Sequence, residues 1–199
     1  TSSTSGEGKT FIASNLAMSF ALLGKKVILV GLDIRRPRLA ELFNINDHKH
    51  GITNLLVKHD PTREDIEAQI LPSGVHGNLE LLMSGPVPPN PAELTARQSL
   101  DDIFNILKEK YDYIIIDTPP MANVIDGAII AGSCDGAILV IEAGATSYRL
   151  EQKVVKQLEK SGCRILGAVL NKVDIRSNGY YGKYGKYGKY GKYDKYEGY

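Results

Sequence analysis

Eight residues near the start of the chain, Ser3-Thr4-Ser5-Gly6-Glu7-Gly8-Lys9-Thr10, have the types and spacing that hold a polyphosphate. They follow the pattern G-x-x-x-x-G-K-[ST], with Ser3 standing at its first glycine. Gly6 and Gly8 let backbone N–H groups turn inward around phosphate oxygens. A helix beginning near Gly8 aims its positive end at the same anion. Lys9 is placed to reach the β- and γ-phosphates, and the Thr10 hydroxyl is a hard oxygen ligand for Mg²⁺. Ser5, Gly6, Glu7, Gly8, Lys9, Thr10 and Phe11 are therefore the candidate nucleotide contacts. The competing reading, a chance Gly/Ser-rich helix start, is disfavoured by the amphipathic segment that follows.

Two carboxylates stand where that phosphate chemistry needs them. Ile114-Ile115-Ile116-Asp117-Thr118-Pro119-Pro120 puts Asp117 at the C-terminal end of an apolar strand, the edge at which open α/β sheets bind ligands. Asp117 is a metal-holding candidate, against the plainer reading of a cap for the next helix. Asp33, in Gly31-Leu32-Asp33-Ile34-Arg35-Arg36-Pro37, follows the run Val27–Val30. It is a candidate to hold the metal or to take a proton from an attacking hydroxyl. Arg35, Arg36 and Arg38 pair with phosphate or carboxylates in one reading and form a solvated basic turn in the other, with Arg35 the stronger catalytic candidate. Asn171-Lys172-Val173-Asp174 matches a guanine-reading N-K-x-D pattern, but an Asn there serves equally for the edge of adenine.

The elements that must carry these groups are legible as alternating apolar and amphipathic segments, which predicts an α/β domain with a mostly parallel, doubly wound sheet. A helix is expected from about Gly8 to Leu23, ended by Gly24, with further helices at about Ser99–Lys110 and Ser147–Ser161. Strands are expected at Val27–Val30, Leu79–Met83, Tyr113–Ile116, Ala137–Ile141 and Ile165–Leu170. The proline-rich stretch from Gly85 to Pro91 must be a stiff loop. A phosphate loop ordinarily follows a buried strand, whereas this chain opens on turn residues, so the first strand is expected upstream of it.

Composition separates the body from the tail. Residues 177–199 carry five Lys against one Asp and one Glu, a net +3, within a total of +1, so the remainder is near −2. Nothing in the body suggests a nucleic-acid surface. From Tyr181 the triplet Tyr-Gly-Lys repeats four times, and no aliphatic residue is available for burial. Ordering that segment would cost roughly 1–2 kcal/mol of backbone entropy per residue, so residues 177–199 are expected to be a disordered tail after a domain of residues 1–176. Cys134 and Cys163 lack metal-ligand spacing and read as reduced thiols of a cytosolic protein. No stretch of about 18 apolar residues is present to span a membrane.

Taken together, the S-S-x-x-G-E-G-K-T loop, the run ending in D-I-R-R-P, the I-I-I-D-T-P-P segment, the G-x-x-P-P-N-P-x-E-L stretch from Gly85 to Leu94 and the tyrosine tail resemble the bacterial tyrosine kinases of the BY-kinase type. That resemblance covers the whole chain and implies a MinD/ParA-like P-loop fold, with ATP and Mg²⁺ as cofactors. It implies transfer of the γ-phosphoryl to tail tyrosines, here Tyr180, Tyr181, Tyr184, Tyr187, Tyr190, Tyr193, Tyr196 and Tyr199. Lys9 and the loop amides would bind phosphates, Thr10 and Asp117 (with Asp33) would hold Mg²⁺, and Asp33 would help to deprotonate the incoming tyrosine. The family further implies a homo-oligomeric ring, a membrane polysaccharide co-polymerase domain on the same chain or a separate subunit, a phosphotyrosine phosphatase, and a place at the cytoplasmic face of the inner membrane in capsule or exopolysaccharide export.

The sequence departs from that family in three ways. Gly31 stands where the family's second Walker motif has its first Asp, and both the E-x-x-R-x-x-R assembly helix and the first strand are expected upstream. A MinD/ParA-like ATPase switch is the alternative function, although Thr4 occupies the position of that group's signature Lys. The least favoured reading makes the Lys/Tyr tail a binder of nucleic acid or anionic polymer.

Overall fold

Val27-Ile28-Leu29-Val30 is apolar at every position because helices cover both of its faces. In the computed structural model this strand, β1 (Val27–Gly31), lies at the centre of a four-stranded sheet. The structure describes residues 1–47, 49–58, 60–88, 97–121 and 126–174. The expected tail, its eight tyrosines and the end of the Gly85–Leu94 stretch lie outside the described residues.

Parallel to β1 run β3 (Leu79–Leu82) on one side and β4 (Tyr113–Asp117) on the other, in registers that set Val27 opposite Leu79 and Gly31 opposite Asp117. A short edge strand, β2 (Ile70–Pro72), pairs antiparallel with β3. Pro72 has no N–H for a further ladder, which suits an edge. On one face lies α1 (Lys9–Leu22), whose Ala17 and Ala21 pack with Val27, Leu29, Leu81 and Leu39 of α2 (Leu39–Leu42). Phe20 stacks on Tyr113 with ring centroids 4.0 Å apart, which fixes α1 against β4. The opposite face is covered by α3 (Ile52–Leu56), α4 (Arg63–Glu67) and α5 (Arg97–Lys110). Leu100, Ile103, Phe104 and Leu107 of α5 pack there on Ile28 and Val30, so the sheet is wound on both faces as expected.

The rest of the chain forms a second, smaller layer. There β5 (Ala137–Glu142) pairs in parallel with β6 (Ile165–Asn171), and α7 (Tyr148–Lys160) buries Val154 and Leu158 against Leu139. Between the layers lies α6 (Asp126–Gly132), which contributes Ala131 to the smaller core and Ile130 to the larger one. The described strands therefore form two sheets, ordered β2-β3-β1-β4 and β5-β6, where the alternation of segments predicts one. Among the described residues, an isolated parallel bridge joins Ser2 to Val140 of β5. The five expected strands all form, each within one residue of its expected bounds. Both cysteines are free, Cys163 buried and Cys134 half-buried. Among the described residues no helix is long and apolar enough to cross a membrane.

Candidate active site

The phosphate loop is built by its glycines and held from outside. Gly6 and Gly8 take φ of 88° and 99°, which lets the loop turn between the Ser2 bridge and the start of α1. A Cβ at Gly8 would lie 2.2 Å from Asn171 Nδ2, so no other residue fits without displacing that side chain. Asn171 Nδ2 itself donates to the Glu7 carbonyl at 2.9 Å. Glu7 is 1% exposed, and its carboxylate accepts from the Thr4 N–H at 2.8 Å and from the Thr146 hydroxyl. Burial alone would raise the Glu7 pKa, but the Thr146 and Thr4 hydrogen bonds outweigh it and hold the carboxyl below its ordinary value. Ser2 supports the same turn: its Oγ donates to the Thr4 carbonyl, and its own carbonyl accepts from the Met121 N–H.

Asp117, at the end of β4, is 3% exposed. Its Oδ2 accepts from Thr10 Oγ1 at 2.7 Å, whereas Oδ1 is buried without a hydrogen-bond partner. Burial pushes the Asp117 pKa up against the Thr10 bond and the Lys9 charge, which pull it down, and the nearby charge of Asp33 raises it further. Thr118 Oγ1 is likewise buried without a partner. Buried polar atoms are ordinarily paired, so this cluster beside a phosphate loop is a set of donors and acceptors that a ligand would satisfy.

The remaining sequence candidates are placed as follows. Lys9 opens α1 and is buried to 8% exposure, while Ser5, Gly6 and Phe11 face solvent around it. Asp33 lies just past β1 with Oδ1 accepting from the Arg36 N–H at 3.0 Å. Arg35 is exposed on the same turn, and Arg38 pairs with Glu41 at 3.1 Å across solvent-exposed side chains. Gly31 lies directly opposite Asp117 in the β1–β4 register, on the same face. A Cβ there would meet Ser84 Oγ at 3.0 Å and Leu39 at 3.4 Å, so the glycine keeps a second carboxylate away from Asp117 and admits Ser84, whose hydroxyl donates to the Gly31 carbonyl. Sequence reasoning missed Thr146 and the structural role of Glu7, since their contact spans 139 residues and neither belongs to a local pattern.

The chain resembles known proteins in both sequence and fold. Residues 2–165 match the family model of the AAA domain. Tyrosine-protein kinase CpsD of Streptococcus pneumoniae serotype 4 is 41% identical over 180 residues, which cover 90% of this chain and 77% of that protein. The putative tyrosine-protein kinase CapB of Staphylococcus aureus is 35% identical over 181 residues, covering 91% and 77%. Among solved structures, the kinase domain of Escherichia coli tyrosine kinase ETK superposes with a TM-score of 0.82 at 32% identity, covering 90% of this chain and 68% of that one. The septum site-determining protein MinD of Pyrococcus horikoshii, solved with Mg-ADP, gives 0.65 at 26% identity, covering 84% and 66%. A phosphate loop closed by Gly6 and Gly8, a buried Asp117 bonded to Thr10, and this likeness over nine-tenths of the chain lead to one statement: the chain belongs to the bacterial tyrosine-protein kinases, nucleotide-binding enzymes on a P-loop α/β fold.

Proposed function

We propose that this kinase transfers the γ-phosphoryl of Mg-ATP to tyrosines of its own C-terminal tail, in trans, within a ring of identical subunits. The observation that carries the reading is the Thr10–Asp117 pair, a hydroxyl bonded to one oxygen of a buried carboxylate whose other oxygen has no partner. That donor set suits a hard divalent cation, and Thr10, Asp117 and Asp33 are the residues to hold it. When bound, Mg²⁺ supplies charge neutralisation at the β- and γ-oxygens.

The chain's own groups do the rest. Loop N–H groups and the α1 N-terminus bind phosphate oxygens, and Lys9 meets the β- and γ-phosphates. Asn171 gives its Nδ2 to the loop, which leaves its carboxamide oxygen as the acceptor for an adenine amino group. A tail tyrosine oxygen forms the new bond to the γ-phosphorus as the bond to the β-phosphate oxygen breaks. Asp33 receives the phenolic proton, and Arg35 on the same turn stabilises charge on the transferred group. ADP and a phosphotyrosine result.

Each phosphotyrosine adds about −1.5 to −2 charges, so a few reverse the tail's +3. The modified tail then leaves a site rich in carboxylate and phosphate, and the ring dissolves. A membrane co-polymerase domain and a phosphotyrosine phosphatase would connect this cycle to capsule or exopolysaccharide export at the inner membrane. Mixing a Lys9→Met chain with a chain whose eight tail tyrosines are Phe tests the transfer. Phosphotyrosine on the tail of the Lys9→Met chain is expected after Mg-ATP is added. ATP hydrolysis with phosphotyrosine on neither chain would favour the switch ATPase, the activity class of the MinD-like alternative.

A further inference from the structure

Glu7 is the one carboxylate of the Ser3–Thr10 loop, and at 1% exposure it is buried more deeply than Lys9 at 8%. A carboxylate is retained in such a place where donors compensate its lost hydration. Here they come from two segments. The Thr4 N–H of the same loop donates to Oε2 at 2.8 Å, and the Thr146 hydroxyl, from the turn after β5, donates to Oε1. With its two oxygens the carboxylate thus closes the loop on itself and ties it to that turn. Burial pushes the Glu7 carboxyl up, and the Thr146 bond leads the contacts that bring it below its ordinary value. The turn is itself held in place. Gly144 takes φ of 73°, the Ala145 N–H donates to the Glu142 carbonyl at 3.3 Å, and Ser147 caps α7 by accepting from the Leu150 N–H. The Ala143 N–H donates to the Asn171 carbonyl at 2.9 Å, and the Asn171 side chain returns to the Glu7 carbonyl.

We propose that Thr146 is a positioning residue for nucleotide binding, acting through Glu7. Its hydroxyl orients the carboxylate so that Oε2 holds the Thr4 N–H, and the loop then has its phosphate-binding shape before a nucleotide arrives. This role rests on the nucleotide reading of that loop and adds to it a residue from a distant turn. The geometry assigns Thr146 to the loop rather than to the core of its own layer. It lies outside the apolar cluster around Leu139, Val154 and Leu158, and its hydroxyl bonds to a residue 139 positions away. Without that hydroxyl, Oε1 is left buried and unpaired, which drives the carboxylate toward water and away from Thr4. The loop between Thr4 and Glu7 loses its internal tie, and nucleotide binding must then order it. Phosphates held alike before and during transfer lose affinity in both states, so the loss appears in KM more than in kcat.

The test measures Mg-ADP affinity for the full chain and three variants. Thr146→Val keeps the shape and removes the donor, Thr146→Ser keeps the donor, and Leu158→Ala loosens the core of the same layer. Mg-ADP binding needs no transfer, so the result stands whichever group accepts the phosphoryl. Thr146→Val should bind about tenfold more weakly than the parent, as loss of a hydrogen bond to a charged group does. Thr146→Ser should stay within about twofold of the parent, and so should Leu158→Ala although it melts lower. KM for ATP should follow the same order, with kcat falling less than KM rises. Affinity of Thr146→Val equal to the parent's would overturn the proposal, as would Thr146→Ser binding as weakly as Thr146→Val. Equal weakening by Leu158→Ala would overturn it too, since the contact would then act through stability alone. A parent chain that does not bind Mg-ADP would overturn the nucleotide reading and this role with it.

Discussion

The two layers of this molecule contribute different things to one site. The four-stranded layer is the larger core, with α1 and α2 on one face and α3 to α5 on the other, and it supplies the carboxylates Asp33 and Asp117. The two-stranded layer has a smaller core around Leu139, Val154 and Leu158, and it anchors the phosphate loop through Val140, Thr146 and Asn171. The layers meet at the loop, where Asn171 Nδ2 of the smaller one donates to the Glu7 carbonyl at 2.9 Å, while within the larger one the Thr10 hydroxyl of α1 donates to Asp117 at 2.7 Å. The larger layer holds the buried Asp117 carboxylate, and the smaller layer holds Glu7 of the loop through Thr146 and Asn171.

The largest expected effect separates chemistry from architecture. Lys9→Ala should lower kcat by about 10²–10³-fold, as removal of a charge-stabilising donor does, without lowering the melting temperature. Next comes the contrast between layers, read by the same substitution in each. Leu107→Ala, in the large core, should cost about 3–5 kcal/mol in denaturant unfolding. Leu158→Ala, in the small core, should cost about 2–3 kcal/mol and appear first as faster amide exchange in β5 and β6. Equal exchange rates across both sheets in the parent chain would break the comparison.

Two smaller effects depend on pH. The folded pKa of Asp117 is raised above its unfolded value, so the stability it contributes is present at acid pH and lost as pH rises through the folded pKa. Asp117→Asn should remove that loss, melt no lower than the parent at pH 7, and abolish stabilisation by Mg-nucleotide. Glu7 has the opposite sign. Its folded pKa is depressed below 4.5, so its contribution is present above that value and lost as pH falls through the folded pKa. Thr146→Ala removes one support of that carboxylate and should cost about 0.5–1.5 kcal/mol, with a weaker fall in stability on acidification.

What the sequence reveals of this arrangement follows the range of each interaction. Lys9 and Thr10 are legible because a phosphate loop is local, and Asp117 because an apolar strand ends on it. The buried strands are legible for the same reason, as runs such as Ile114-Ile115-Ile116. By contrast, β2 spans three residues including Pro72, and α6 runs between glycines at its second and last positions, so neither carries a readable period. The Glu7–Thr146 and Asn171–Glu7 contacts join residues 139 and 164 positions apart, which no local pattern encodes. Asn171 reads as a base contact in sequence, whereas in the structure its Nδ2 donates to the Glu7 carbonyl of the loop.

The central claim is that the two layers assemble a site that phosphorylates tail tyrosines, and phosphopeptide mapping of the chain after incubation with Mg-ATP tests it most directly. Phosphate on tyrosines between Tyr180 and Tyr199, absent from the Lys9→Met and Asp117→Asn chains, is the predicted result. ATP turnover that leaves every one of those tyrosines unmodified would contradict it.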